Sequence, residues 1–538
     1  MTRRALFIQF LLSLVLVWLP AASAAGLDPA LLEPLAGDDT DAKLEVIARL
    51  GMESSPQAVM VLDALSNDQL YVTPEATLLV KTQTGIVDAA TGASVDTMLD
   101  QAATVAVNNR LRRAIGAALS VARLYAPDPA HRLAAARGLQ RGTDAALLPT
   151  LEKALAGEKN VEVQAALTIA IAALQLKSDR PLLRAQAART LGKTGNAAFR
   201  PMLQGLLQQD AQGIYAESDA DVRAAAATAL HRIERHVKAV EWVGNLFYGV
   251  SLGSVLLLAA LGLAITFGLM GVINMAHGEL LMIGAYVTYA VQALFRSWIP
   301  QWLDAYVIAA MPVAFVVTAL IGMALERTVI RWLYGRPLET LLATWGISLM
   351  LMQAVRTLFG AQNVEVSNPS WMSGGITVLG SLVLSYNRVA IIVFAMLVVL
   401  LVWALLNHTR LGLFVRAITQ NRRMADCVGV PTGRVDMLAF GLGAGIAGLA
   451  GVALSQLGNV GPDLGRNYIV DSFMVVVLGG VGQLAGTVVA ALGLGAVTKF
   501  LEPYSGAVMA KIAILVLIVL FVQKRPQGLF APRGRSAE

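Results

Sequence analysis

The segment Gly271-Val272-Ile273-Asn274-Met275-Ala276-His277-Gly278-Glu279 sets an amide, an imidazole and a carboxylate within six residues, between two apolar runs. No turn here is long enough to leave a membrane. An ionised group at mid-bilayer costs roughly 2.5–3.5 kcal/mol, so such groups face a partner or a pathway. Two readings stand. Asn274, His277 and Glu279 line a translocation route, or Glu279 anchors a helix N-terminus while His277 bonds a carbonyl. Both hold if the break itself lines the route. A second break, Gly479-Gly480-Val481-Gly482, interrupts another apolar stretch. Non-helical backbone survives at membrane depth only where protein or a cavity surrounds it. Gly479, Gly480 and Gly482 are therefore expected inside the bundle beside the route, with close helix packing as the competing reading.

The loop Thr409–Arg434 carries a different chemistry. Phe414, Ala417, Ile418, Met424, Ala425 and Val428 are apolar at near-helical spacing, while Arg416, Gln420 and Arg423 lie elsewhere on the surface. Gly429 and Pro431 end the predicted helix. Such a helix docks a soluble partner beneath a membrane bundle, or lies on lipid headgroups. Glu326-Arg327 opens an earlier polar segment and reads as an interfacial anchor. No nucleophile stands beside a base, and the histidines show no metal-ligand spacing. Gly192-Lys193-Thr194 fails as a phosphate loop, because Ala187 stands where the first glycine belongs and no strand precedes it. A helix C-cap at Gly192 is the expectation. The chain is read as a non-enzyme with no cofactor and no energy source of its own.

The elements that hold these residues follow from composition. A soluble protein is about 45–50% apolar and about 25% charged. This chain of 538 residues is 56% hydrophobic and 14% charged. One cysteine excludes a disulfide scaffold. The net charge of +6 gathers in the second half, in loops rather than on one surface, which argues against nucleic acid as a partner and for membrane lipid. Apolar stretches near 246–270, 279–296, 306–326, 338–359, 389–407, 436–457, 470–500 and 506–523 predict spans. Arg327, Arg331 and Arg336 fall in one loop, Arg410 to Arg434 in another, and Lys524, Arg525, Arg533 and Arg535 in the tail. The positive-inside rule makes these three cytoplasmic. Eight simple crossings that begin outside would end outside, against the basic tail. The stretch 470–500 is too long for one span and is glycine-broken, so it is expected to be a hairpin or re-entrant pair.

Ahead of the bundle, Arg3-Arg4, the apolar run Ala5–Leu19 and Ala22-Ser23-Ala24 read as a signal peptide over 1–24. The segment 25–240 is then exported. It is Ala-, Leu- and Arg-rich, with four similar stretches: Pro129–Leu139, Val161–Leu174, Arg180–Leu191 and Asp219–Ile233. Small Ala faces let helices stack, as in HEAT-type repeats. The register is uneven, with Arg132, Gln164, Arg184 and Arg223 as matching positions. Residues 67–110 hold a weaker helical pattern with a short hairpin or loop. The fold class is thus all-α: an exported HEAT-like domain, then a polytopic transmembrane helix bundle over 241–531.

Four motifs resemble the permeases of branched-chain amino acid ABC transporters: Phe267–Tyr286, Thr409–Gly429, Val477–Gly486 and Arg525–Phe530, in that family's order. The resemblance implies an inner-membrane permease working with a second related permease, two ATPase subunits that carry ATP and magnesium, and a periplasmic binding protein. It places Arg416, Ala417, Ala425 and Gly429 in an ATPase-coupling loop. The long exported segment looks like the first permease of the urea-transport branch, which implies urea as substrate. Branched-chain amino acids, or a passive channel, are the alternatives. Urea is small, neutral and polar, and a lining of Asn, His and Gly-exposed carbonyls replaces its water.

Overall fold

The computed structural model describes residues 26–530 apart from 54, 83–84, 96–101, 141–144 and 272. The leader read over 1–24 lies outside the described residues. The described residues are 74% helical and 6% strand. It divides into two compact units at Val237/Lys238.

The first unit begins with α1 (Pro29–Ala36), α2 (Thr40–Glu53) and α3 (Pro56–Ser66). Strands β1 (Leu70–Val72), β2 (Leu78–Thr82), β3 (Gly85–Asp88) and β4 (Ala103–Thr104) follow. They form an antiparallel sheet in the order β3-β2-β1-β4. This sheet is more than the hairpin expected for the region. Leu70 and Val80 are buried with Leu62 and Ile115, so the sheet shares one core with the helices. Next come α4 (Asn109–Arg123), α5 (Pro129–Leu139), α6 (Leu148–Gly157), α7 (Val161–Gln175), α8 (Pro181–Lys193) and α9 (Arg200–Leu206). Asp128 and Asn160 cap α5 and α7 through their side chains. Proline opens α5 and α8, where its missing N–H costs nothing.

One local device recurs. Arg132 donates to Ala126 O and Pro127 O, Gln164 to Glu158 O, Arg184 to Ser178 O, and Arg223 to Glu217 O and Ser218 O. Each side chain ties the start of its helix to the loop before it. Arg132 also grips Glu158 (2.7 and 3.0 Å), and Arg184 grips Glu217 (2.8 and 2.7 Å). The Arg132 guanidinium, with the backbone N–H groups of Asn160 and Lys159, holds the Glu158 carboxyl down at about 2. Arg184 lowers Glu217 in the same way. Gly192 is not a cap. It lies inside α8, and a Cβ there would sit 2.5 Å from the Ala229 Cβ, so it marks a close helix contact.

The second unit takes in most of α10 (Ala220–Met270), within which the division between units falls. Then come α11 (His277–Trp298), α12 (Tyr306–Thr328) and α13 (Pro337–Phe359). A β5 (Gly375–Val378) and β6 (Leu382–Ser385) hairpin leads to α14 (Tyr386–His408). The short α15 (Arg410–Gln420) and α16 (Arg422–Cys427) precede α17 (Thr432–Ser455), α18 (Leu464–Gly479) and α19 (Leu484–Lys524). Seven helices among the described residues are long and apolar enough to cross a membrane.

The stretch 470–500 is a helical hairpin, α18 turning into α19 at residues 480–483. A further reversal lies within α19. Gly506 is non-helical (φ 76°, ψ 162°), beyond it Lys511 reaches back to Asp471 of α18 at 3.0 Å, and Phe530 N reaches Gly479 O at 3.3 Å. At 16 residues α18 falls short of the span length, and α19 folds back on itself at Gly506, so the expected eight simple crossings are not what the helices form.

Glycines set the inner seams. A Cβ at Gly284 of α11 would lie 2.3 Å from Gly448 O of α17, and one at Gly451 2.1 Å from Leu281 O. Gly278 and Gly465 meet in the same way between α11 and α18. Such contact lets backbones approach where lipid supplies no hydrophobic drive.

Candidate functional site

The α10–α11 break is built by local backbone chemistry. Gly271 closes α10 with φ 65°, a conformation that favours glycine. The Asn274 side chain accepts from Ala276 N at 3.0 Å, and α11 begins at His277. His277 Nε2 carries the proton, because its 2.9 Å partner is the Ala259 carbonyl, which can only accept. Ala259 lies about 16 Å back from Met270 along α10 at 1.5 Å per residue. The first turn of α11 therefore sits deep beside α10, well short of that helix's end.

Glu279 occupies that first turn, is 2% exposed, and hydrogen-bonds with Ser348 of α13. Met275 N donates to Thr344 Oγ1 at 3.2 Å. Thr340, Thr344 and Ser348 make a buried hydroxyl stripe on α13 facing the break. Sequence reading missed this stripe, although its spacing of four inside an apolar span was the available signal. Asn274 Nδ2 and His277 Nδ1 are buried without a partner. The structure thus brings Asn274, His277 and Glu279 into one polar seam and gives the helix-anchoring contacts their partners. Unpaired donor and acceptor capacity remains in that seam.

The glycines of the second break lie elsewhere. A cavity of about 980 Å³ opens on the opposite face of α10, lined by Ile265, Gly268, Trp403, Arg416, Gln420 and Gly482 among others. Gly482 reaches it; Asn274, His277 and Glu279 do not line it. Gly479 packs against Gly486, and Gly480 (φ 100°) against Phe530 O. Leu529 N donates to Leu478 O at 2.8 Å, so the 525–530 tail seats on this turn. The break therefore lies beside the tail and the 409–434 loop.

That loop is two helices rather than one. Asn421 is extended (φ −152°, ψ 101°), and its side chain caps α16. Arg416 turns back to donate to Leu406 O. Ala417 is half-buried and Ala425 buried, while Gly429 takes φ 89° in open space. Ile418, Ala425 and Val430 pack on Val435 and Ala439 of α17. Leu413, Met424 and Val428 remain exposed. Arg422 forms a two-pronged pair with the buried Asp436, and its guanidinium carbon lies 4.9 Å from the Tyr334 ring centre. Among the described residues no group of three or more His, Cys, Asp or Glu could hold a metal.

A bundle of closely packed apolar helices with a polar break fits a membrane permease. Residues 245–522 match the family described as "Branched-chain amino acid transport system / permease component". The chain belongs to that family. It is 29% identical over 294 residues to the high-affinity branched-chain amino acid transport system permease protein BraD of Pseudomonas aeruginosa, covering 54% of this chain and 95% of BraD. It is 31% identical over 292 residues to LivH of Escherichia coli K12, a permease of the same description, covering 53% and 94%. The ribose import permease protein RbsC of Escherichia coli K12 is 29% identical over 141 residues, 24% of this chain and 44% of RbsC. The chain is a multi-pass membrane permease component.

Proposed function

We propose that this chain is the permease subunit of an ATP-driven ABC importer, paired with a related permease, energised by ATPases at its inner face and supplied by a soluble binding protein outside. The observation that carries this reading is the two-sided 409–434 loop. Its inner apolar residues are already covered by α17, so it has no need of headgroups. Its outer residues Leu413, Met424 and Val428 stay exposed beside Arg423, a surface suited to a soluble partner. The basic segments support the orientation. Tyr334 of the 327–336 loop touches Arg422 of the 409–434 loop, and the tail seats on the nearby 480–483 turn. Positive charge gathered at one end makes that end cytoplasmic. This reading has the first unit outside.

Branched-chain amino acids are the substrate reading that BraD and LivH support. Urea is the second reading, and it rests on the resemblance of the long first segment to the urea-transport branch. The relatives align over nearly their whole length yet reach only 53–54% of this chain, so its first half has no counterpart in them. The seam at Asn274, Thr344 and Ser348 also offers hydroxyls and an amide, which suit a neutral amide better than a zwitterion. Uptake of labelled leucine and labelled urea in a strain lacking only this chain, with and without complementation, decides between them. Restored uptake of one solute selects that reading. Uptake that persists without the ATPases refutes the importer.

A further inference from the structure

We infer that Tyr334 and Arg422 are positioning residues that link the inner-face loop to the α10–α11 break; this rests on the importer reading above. Four elements meet at one tyrosine. Its hydroxyl donates to Glu326 Oε1 of α12 at 2.9 Å and lies 3.3 Å from Met270 Sδ, the last residue of α10. Its ring is covered by the Arg422 guanidinium of α16, which also holds Asp436 of α17. Met270 is the pivot. It packs with Ile418 and Ala425 on one side, and with Ile330, Phe440 and Tyr334 on the other. The next residue is Gly271, which opens the break leading to Asn274, His277 and Glu279.

The charges give this cluster two distinct arrangements. Asp436 is fully buried, and Glu326 is 1% exposed with Oε2 unpartnered. Glu326 rests on the phenol, and Asp436 rests on the guanidinium that covers that phenol's ring. Arg422 is the member that can leave, because 41% of its side chain is already exposed. When α16 moves with a docked partner, Arg422 withdraws from both Tyr334 and Asp436. The phenol loses its cation and reorients against Glu326 and Met270. The end of α10 then shifts and carries the break with it. Coupling of this kind needs a contact with two arrangements that both sites bias, and the Arg422–Asp436 ion pair, stacked on the phenol that holds Glu326, supplies it.

The test uses the reconstituted importer with its ATPases and binding protein. Tyr334→Phe removes only the hydroxyl. Solute moved per ATP should fall about tenfold, within the range of ordinary coupling energies, while assembly and basal ATPase stay at wild-type level. Arg422→Gln should lower the same ratio, and the double variant should be no worse than the more affected single one. An unchanged ratio in Tyr334→Phe overturns the inference, as does simple multiplication of the two effects. If Arg422→Gln fails to assemble, Tyr334→Phe compared with Met270→Leu reads the same link. Wild-type uptake independent of ATP would instead refute the importer reading itself.

Discussion

Gly284→Ala should destabilise the membrane bundle far more than the addition of one methyl suggests. The new Cβ would lie 2.3 Å from Gly448 O and 2.5 Å from Gly448 Cα. Both are backbone atoms on α17, and neither can rotate away. Restoring ordinary carbon contact requires α11 and α17 to part by about 1 Å. That movement also opens the Gly451–Leu281 contact on the same seam. Overpacking of this kind costs about 1–3 kcal/mol. Gly346 of α13 is the control, since a Cβ there meets nothing within 4 Å. Alanine at that position should be neutral or gain about 0.4–1 kcal/mol from the unfolded chain. Thermal unfolding of the purified permease in detergent separates the two. Gly284→Ala should melt at least about 2 °C below wild type, and Gly346→Ala at or above it. Equal melting temperatures would refute the argument that backbone contact, rather than side-chain fill, sets this seam.

Other outcomes follow from named contacts. Glu279→Gln keeps the shape and the Ser348 partner but removes the ionisable carboxyl beside the break, so the complex should assemble normally while its uptake rate falls; impaired assembly would make Glu279 purely architectural. Gly429→Arg forces a side chain onto φ 89° at the exposed edge of the 409–434 loop, and, if that loop docks the ATPases as proposed, their co-purification should be lost while membrane insertion persists. In the first unit, Glu158 sits at about 2 when folded against an ordinary 4.5, so its ion pair stabilises fully above about pH 4.5 and is lost as pH falls towards 2. Hydrogen exchange over 129–175 of the intact chain should quicken across that window, and Glu158→Gln should remove that part of the pH dependence.

Much of the bundle was legible because a bilayer imposes length and apolarity on each pass. The 470–500 hairpin could be read from excess length and four-residue punctuation at 479–482. The tail seating against Gly480 could not, because it depends on a second reversal at Gly506. The sheet over 70–104 escaped because its strands are very short and carry little periodicity. One helix was expected where Asn421 makes two, since an extended residue that caps its successor looks helical in an apolar pattern. In the first half, Arg132, Gln164, Arg184 and Arg223 were picked as matching positions, and each does hold the loop before its helix. The polar seam was half visible: Asn274, His277 and Glu279 are neighbours in sequence, while Thr340, Thr344 and Ser348 join them only through packing. Tyr334, Glu326, Arg422 and Asp436 are scattered along the chain, and only the folded bundle assembles them.

The chain's single cysteine, Cys427, tests the orientation on which the transport account rests. It is exposed at the end of α16, beside the surface assigned to the ATPases. A membrane-impermeant maleimide, applied to membranes that carry the permease without its ATPases, should label inverted vesicles and leave intact spheroplasts unlabelled. Labelling from the outer face would put the 409–434 loop where no ATPase can reach it, and would contradict the account.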